Sequence, residues 1–69
     1  MRKIYRVIVE RPTAWPSYAE VLDDEKYGIL RGLIQFRIAI PEDRWEDFED
    51  FLEDNPVVLK YNDLDIKYK

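Results

Sequence analysis

The residues with the most chemical scope in this sequence are eight carboxylates within residues 41–54. If that segment is a helix turning 100° per residue, the carboxylates form two adjacent rows over about 160° of its circumference. The first row contains Glu42, Glu46, Glu49 and Glu53, and the second contains Asp43, Asp47, Asp50 and Asp54. Neighbours within a row lie about 5–6 Å apart, and the rows extend over roughly 17 Å. In order of magnitude, these spacings match those of successive phosphates along a nucleic-acid strand.

The like charges of this segment work against helix stability. Carboxylates four residues apart, such as Glu42 with Glu46, repel one another by a few tenths of a kcal/mol per pair. Glu53 and Asp54 would stand at the helix C-terminus, where the helix dipole disfavours anions. An ordinary solvated face of an amphipathic helix is the simplest interpretation. The uniform sign nevertheless favours a second one, in which a cationic partner outside the chain compensates the repulsion.

Catalytic chemistry has little support in the sequence. There is no histidine and no cysteine, so an activated nucleophile and a zinc site both lack their usual groups. Paired carboxylates catalyse reactions or hold Mg²⁺ only when they converge in a pocket, whereas carboxylates along a helix spread outward. The clusters Asp23-Asp24-Glu25 and Asp63-x-Asp65 match no EF-hand pattern. We therefore predict a protein that is not an enzyme and that holds no metal or cofactor.

The favoured function is that of a non-catalytic, acidic protein-binding inhibitor. Its acidic helix would mimic DNA and occupy the basic groove of a nucleic-acid-binding protein, without touching nucleic acid itself. Small phage proteins that inhibit host or defence nucleases and polymerases offer an analogy. One alternative is a structural or assembly subunit that acts through a sheet edge or Trp15. Another is a small ligand-binding regulatory module.

Trp15 and the strand residues leave further contacts open. Trp15 lies in a loop between two prolines, where it is either an exposed binding anchor or a lid over a small core. Tyrosines on strands could stack bases but more often pack half-buried. Arg6, Arg31 and Arg37 could form a basic sheet face that meets the acidic helix of a second copy, as in a homodimer, or could merely cover apolar neighbours with their stems.

Size and composition limit the number of domains and the kinds of partner that this chain can have. A chain of 69 residues with 46% apolar residues is one domain, 1–69, with a thin margin of stability. The net charge is −4, and residues 41–54, with eight acids and one arginine, are far more negative than the rest. No apolar run approaches the roughly 18 residues of a membrane span. The charged start, which includes Arg2 and Lys3, does not resemble a signal peptide, so we expect a cytoplasmic protein without membrane contact.

Apolar spacing predicts the elements that position these residues. Residues 3–11 form a strand with apolar residues on both faces, which indicates a strand inside the sheet. Residues 18–26 form a short helix behind a capping box at Ser17, or else a strand Tyr18–Leu22 that turns at Asp23-Asp24. Residues 29–40 form a strand, with a bulge at Gly32.

The last third of the chain supplies the helix and the end of the sheet. Residues 41–54 form the acidic helix, with Trp45, Phe48, Phe51 and Leu52 as its apolar stripe. Asn55-Pro56 ends it. Residues 57–68 form a hairpin that turns at Asn62-Asp63, or one bulged strand. The predicted fold class is therefore α+β, with an antiparallel sheet of three to five strands packed against the acidic helix.

Overall fold

The computed structural model describes the backbone of residues 2–27 and 32–68 and the side chains of residues 2–26 and 32–63. It contains four strands, a 3₁₀ turn and one α-helix. In chain order these are β1 (Arg2–Val9), β2 (Glu20–Tyr27), β3 (Leu33–Pro41), the 3₁₀ turn (Glu42–Arg44), α1 (Trp45–Asp54) and β4 (Val58–Tyr68). They form one sheet of order β2-β3-β1-β4 in which all neighbours are antiparallel. The predicted α+β class is confirmed.

Strand β1 is the centre of the sheet. It pairs with β3 on one side and with β4 on the other, so the prediction of an internal strand is confirmed. Both β3 and β4 run antiparallel to β1 and hence parallel to each other. Parallel strands need a long crossover connection, and the 3₁₀ turn and α1 form that connection. The helix therefore lies over β1, across one face of the sheet.

The core fills the space between α1 and that covered face. Strand residues at alternate positions supply one half of it, as the period of a strand requires, and Phe48 and Leu52 supply the other half. The core cluster comprises Tyr5, Val7, Val9, Phe36, Ile38, Ile40, Phe48, Leu52 and Val57. The apolar stripe of the predicted helix thus faces the sheet, which turns the opposite side of the helix outward.

Trp15 closes one side of this core. Its ring contacts Phe36 edge-on at a centroid distance of 5.1 Å and lies 6.0 Å from the ring of Phe51. Trp15 is half-buried, and the aromatic contacts favour its folded-back position. Of the two interpretations of Trp15, the structure matches the lid.

The helix predicted over 18–26 is wrong, because residues 20–26 belong to the edge strand β2, and Tyr18 and Ala19 precede that strand without forming a helix. The rival strand is right in type but wrong in extent, since β2 continues through Asp23-Asp24 to Tyr27 without turning there. Charged pairs across the sheet favour the extended form: Asp23 binds Arg37 of β3, and Glu20 binds Arg2. The helical spacing of a few apolar residues is weak evidence for a helix. The hydrogen bonds that a whole strand forms with its neighbour outweigh it.

The hairpin at Asn62-Asp63 is also wrong, and the alternative of one bulged strand is confirmed. Strand β4 pairs with β1 along its length, with register shifts between Lys3 and Ile4 and between Ile8 and Val9. A hairpin would bring only half of the segment beside β1. The long strand pairs both ends of β1, and its irregularities absorb the mismatch in length.

Gly32 does not mark a bulge inside β3. It precedes the strand and has a left-handed backbone with φ of 65°, a conformation that glycine adopts without steric cost. The register shift of this hairpin lies instead in β2, between Val21 and Asp23. The predicted strand residues 29–31 lie outside the described residues.

The acidic helix begins one residue later than predicted and in a different form. Pro41 is the last residue of β3 and precedes the 3₁₀ turn with an extended backbone. The helix ends as predicted at Asp54. There the Asn55 side chain accepts a hydrogen bond from the Val57 amide at 3.0 Å and donates one to the Thr13 hydroxyl at 3.4 Å.

Candidate functional site

The outward side of the 3₁₀ turn and α1 is the candidate site, hereafter the acidic surface. It is defined by the eight acidic residues Glu42, Asp43, Glu46, Asp47, Glu49, Asp50, Glu53 and Asp54. Phe48 and Leu52 fix its orientation, since both are buried in the core. The Trp45 indole adds a hydrogen bond of 2.9 Å to the carbonyl of Ile40. The helix therefore has little freedom to roll on the sheet.

The 3₁₀ turn alters the start of both predicted rows. Residues advance by about 120° in a 3₁₀ helix and by about 100° in an α-helix, and they rise by about 2.0 Å and 1.5 Å respectively. Glu42 and Asp43 belong to the 3₁₀ turn, whereas the other six acids belong to α1. The two straight rows thus describe α1, and the first two carboxylates stand out of line with them.

Two of the carboxylates are held by tyrosines of the sheet. The Tyr5 hydroxyl donates to the Glu49 carboxylate at 2.6 Å, and the Tyr61 hydroxyl donates to Glu53 at 3.0 Å. Burial, and then the hydrogen bond to Glu49, raise the pKa of Tyr5 far above its usual range. Burial, followed by the hydrogen bond to Glu53, likewise raises the pKa of Tyr61. The tyrosines therefore stay neutral donors and leave the negative charge on the carboxylates.

These tyrosines are functional residues that sequence reasoning missed. Tyr5 and Tyr61 were expected to pack in the sheet or to stack bases. A signal was available in the alternation of β1, which puts Tyr5 on the face with Val7 and Val9. A buried tyrosine hydroxyl requires a hydrogen-bond partner, and the acidic helix was the nearest source of acceptors.

Most of the acidic surface has no cation beside it. Among the side chains described at residues 2–26 and 32–63, the ion pair between Arg44 and Asp47 at 3.1 Å is the only one with a carboxylate of this surface. The acids that bind neither a cation nor a tyrosine in that part of the chain are Glu42, Asp43, Glu46, Asp50 and Asp54. All five are exposed. Glu46 and Asp50, together with Glu49 and Glu53, line a shallow depression of 380 Å³.

Trp15, the ninth predicted site residue, is not part of the acidic surface. It packs on the apolar side of α1, 6.3 Å from the ring of Phe48. The structure therefore brings the carboxylates together and separates them from Trp15. A role of Trp15 in partner binding stays a prediction, and it would need the half-exposed edge of the ring.

The predicted basic sheet face is largely paired with acids of the same chain. The Arg37 guanidinium donates hydrogen bonds to the Asp23 carboxylate, with Nε 3.0 Å from Oδ1. This hydrogen bonding lowers the pKa of Asp23. Arg2 pairs with Glu20. Arg31 lies outside the described residues. Arg6 is exposed at the centre of this face.

One acid of each of the clusters Asp23-Asp24-Glu25 and Asp63-x-Asp65 forms an ion pair within the chain. Asp23 binds Arg37, and Asp63 lies 3.2 Å from the ammonium of Lys3. In the part of the chain that the structure describes, no group of three or more acids is arranged to hold a metal ion. That part also contains no helix long and apolar enough to cross a membrane.

Comparison with known proteins finds no similarity. No protein-family model matches the sequence, and no characterised protein or solved structure matches it either. The function must therefore be argued from the surface itself.

Proposed function

We propose that this protein is a non-catalytic inhibitor whose acidic surface occupies the basic groove of a nucleic-acid-binding protein. The observation that carries the proposal is the set of exposed carboxylates on α1 and the 3₁₀ turn that have no cation beside them among the described side chains, those of residues 2–26 and 32–63. A small chain gains no stability from such repulsion. A partner with a basic groove would turn that repulsion into attraction and would speed association.

Three features of the fold support this role. The apolar stripe of α1 is buried, so the helix presents only its polar side. The tyrosine hydroxyls fix Glu49 and Glu53 without adding positive charge. The sheet holds the helix rigid, which lowers the entropy lost on binding. As part of the proposal, we place this activity in the cytoplasm.

The two alternative functions receive less support. A subunit that assembles through Trp15 would need that ring exposed, whereas it packs on Phe36 and Phe51. In the part of the chain with described side chains, residues 2–26 and 32–63, each edge strand carries one large exposed apolar residue, Val21 on β2 and Leu59 on β4, and single residues of this kind are ordinary. A ligand-binding module would need an enclosed pocket, whereas the depressions along α1 and beside Leu59 are open and mostly polar.

Reversing two carboxylates tests the proposal. Glu46→Lys with Asp50→Lys changes the centre of the acidic surface and spares the contacts of Tyr5 and Tyr61. Immobilised wild-type protein should capture a nucleic-acid-binding protein at about 0.1 M salt and release it near 1 M, where the Debye length falls from about 10 Å to about 3 Å. Free wild-type protein should displace nucleic acid from that partner. The double variant should capture nothing.

The matched control places the same change of charge elsewhere. Glu10 and Asp24 are exposed acids outside α1, so Glu10→Lys with Asp24→Lys alters the net charge equally. This control should bind the partner as the wild-type protein does. Capture that survives the helix substitutions, or that is lost equally in the control, would contradict a role for the acidic surface.

A further inference from the structure

The face of the sheet opposite α1 is the second surface of interest, hereafter the open face. Ile4, Ile8 and Ala39 project onto it and do not belong to the core cluster under the helix. All three are buried nonetheless. The described residues provide no second helix to cover this face, so neighbouring strand side chains shield the three apolar residues. Arg2, Arg6, Arg37 and Lys60 lie on the same face by register.

A small cavity opens on this face between β1 and β4. Its volume is 230 Å³, and Arg6, Ile8, Lys60, Tyr61 and Asn62 line it. Arg6 is opposite Asn62, and Ile8 is opposite Lys60, so the two cations are diagonal neighbours with Cα atoms roughly 7–8 Å apart. The cavity therefore has an apolar floor, two cations and an amide, and its size suits a carboxylate group.

Arg6 is the distinctive residue of this cavity. Among the side chains described at residues 2–26 and 32–63, Arg6 makes no hydrogen bond or ion pair, whereas Arg37 binds Asp23 and Arg2 binds Glu20. Its partner across the β1–β3 ladder is Arg37, and like charges in directly opposite positions are unfavourable. An incoming carboxylate would relieve that repulsion and would match the planar guanidinium with two hydrogen bonds.

We infer that the open face of one copy binds the α1 helix of a second copy, with a carboxylate of that helix in the cavity beside Arg6 and Lys60. One chain carries both halves of the charge complementarity, the cations of the cavity and the carboxylates of α1. Glu46 and Asp50 lie one helical turn apart on α1, and no cation among the described side chains pairs with them. The two surfaces lie on opposite sides of a two-layer molecule, so a copy cannot satisfy its own cavity. The contact is therefore head-to-tail and does not close after two copies.

This inference is independent of the proposed function, although the two share Glu46 and Asp50. A bound nucleic-acid-binding protein and a second copy would compete for α1. The substitution Arg6→Gln separates them, because it removes the guanidinium charge from the cavity, keeps a polar side chain at that position, and leaves the acidic surface intact. It should abolish self-association and retain capture of the partner.

Sedimentation velocity tests the inference. At about 0.1 M salt, the sedimentation coefficient of the wild-type protein should rise with concentration, and at about 1 M salt the rise should vanish. Arg6→Gln and the pair Glu46→Lys with Asp50→Lys should each remain monomeric. The control Arg11→Gln removes an exposed cation of the loop after β1 and should associate as the wild-type protein does. Circular dichroism should show that each variant is folded.

Mixing the two monomeric variants gives the sharpest result. The Arg6→Gln copy keeps an acidic α1, and the helix variant keeps an intact cavity, so the mixture should form one-to-one heterodimers and nothing larger. A wild-type protein that stays monomeric at low salt would overturn the inference, even if inorganic phosphate shifts the NMR signals of Arg6. Unchanged self-association of Arg6→Gln, or a mixture without heterodimers, would overturn it as well.

Discussion

At the scale of single residues, the hydrogen bond from Tyr5 to Glu49 joins the buried sheet to the acidic surface. Tyr5 is almost fully buried, with 1% of its surface exposed, and its ring packs edge-on against Phe48 at 5.1 Å. Its hydroxyl reaches the half-buried carboxylate of Glu49 on the facing helix. One side chain therefore contributes both to the core and to the position of a charged group.

Removing that hydroxyl with Tyr5→Phe should destabilise the fold and should leave its architecture unchanged. A hydrogen bond to a charged group contributes about 1.5–3 kcal/mol, and water reaching the half-buried Glu49 should reduce the loss to about 1–2 kcal/mol. Urea unfolding at neutral pH measures this loss. Tyr61→Phe removes a more exposed bond to Glu53 and should cost less. An equal loss in both variants would show that burial does not strengthen the Tyr5 bond.

The same variant has a signature at alkaline pH. The pKa of Tyr5 is raised from its ordinary value of 10.0 in the folded protein, so the neutral form contributes fully to stability below pH 10. Above that pH the unfolded chain loses its proton first, and the contribution declines as the pH rises towards the folded value. Tyr5→Phe should therefore lose less of its unfolding free energy above pH 10 than the wild-type protein does.

At the scale of elements, the local sequence pattern was sufficient where burial leaves a clear pattern of apolar residues. Strand β1 is apolar on both faces, β3 alternates with period two, and α1 has an apolar stripe that includes Phe48 and Leu52. Asn55-Pro56 ends the helix in the structure as it does in the sequence pattern. In each case, burial reinforces the pattern that a local window shows.

The misassigned elements are those whose form depends on distant partners. Strand β2 is an edge strand with little burial, and its exposed Val21 and acidic Asp23 give no alternation to recognise. The sequence pattern of β4 favours a hairpin, because a turn at Asn62-Asp63 would put pairs such as Leu59 and Ile66 on the same face. The competing partner, β1, lies about 50 residues or more away in sequence. The residues of the acidic surface were predictable, whereas their tyrosine partners depended on this sheet order.

The entry into β3 depends on the backbone of Gly32, which has a φ of 65°. A methyl group there would meet no atom within 4 Å, so Gly32→Ala should cost only conformational energy, about 1–2 kcal/mol. Gly32→Asn should cost less, because asparagine tolerates left-handed geometry better. Urea unfolding of both variants measures the difference. Equal stability of the alanine variant and the wild-type protein would mean that the turn adopts another backbone conformation.

At the scale of the whole molecule, one helix supplies nearly all of the second layer. Phe48 is fully buried in this layer and contacts the rings of Tyr5, Trp15, Tyr18 and Phe51. The free energy of unfolding of a domain of this size is about 3–10 kcal/mol. Phe48→Ala should cost about 3–5 kcal/mol and leave much of the protein unfolded. Thermal unfolding followed by circular dichroism measures this effect. Phe51→Ala, at a half-buried position, should remain folded.

The position of β1 between β3 and β4 constrains when the protein can fold during synthesis. Strand β1 is made before both of its neighbours, and about 50 residues separate it in the chain from the second of them, β4. At about 5–20 residues per second, β1 waits several seconds with one edge unpaired. Nascent chains that stop before β4 should therefore lack protease resistance, and a chaperone that shields strand edges would act on this protein before β4 emerges.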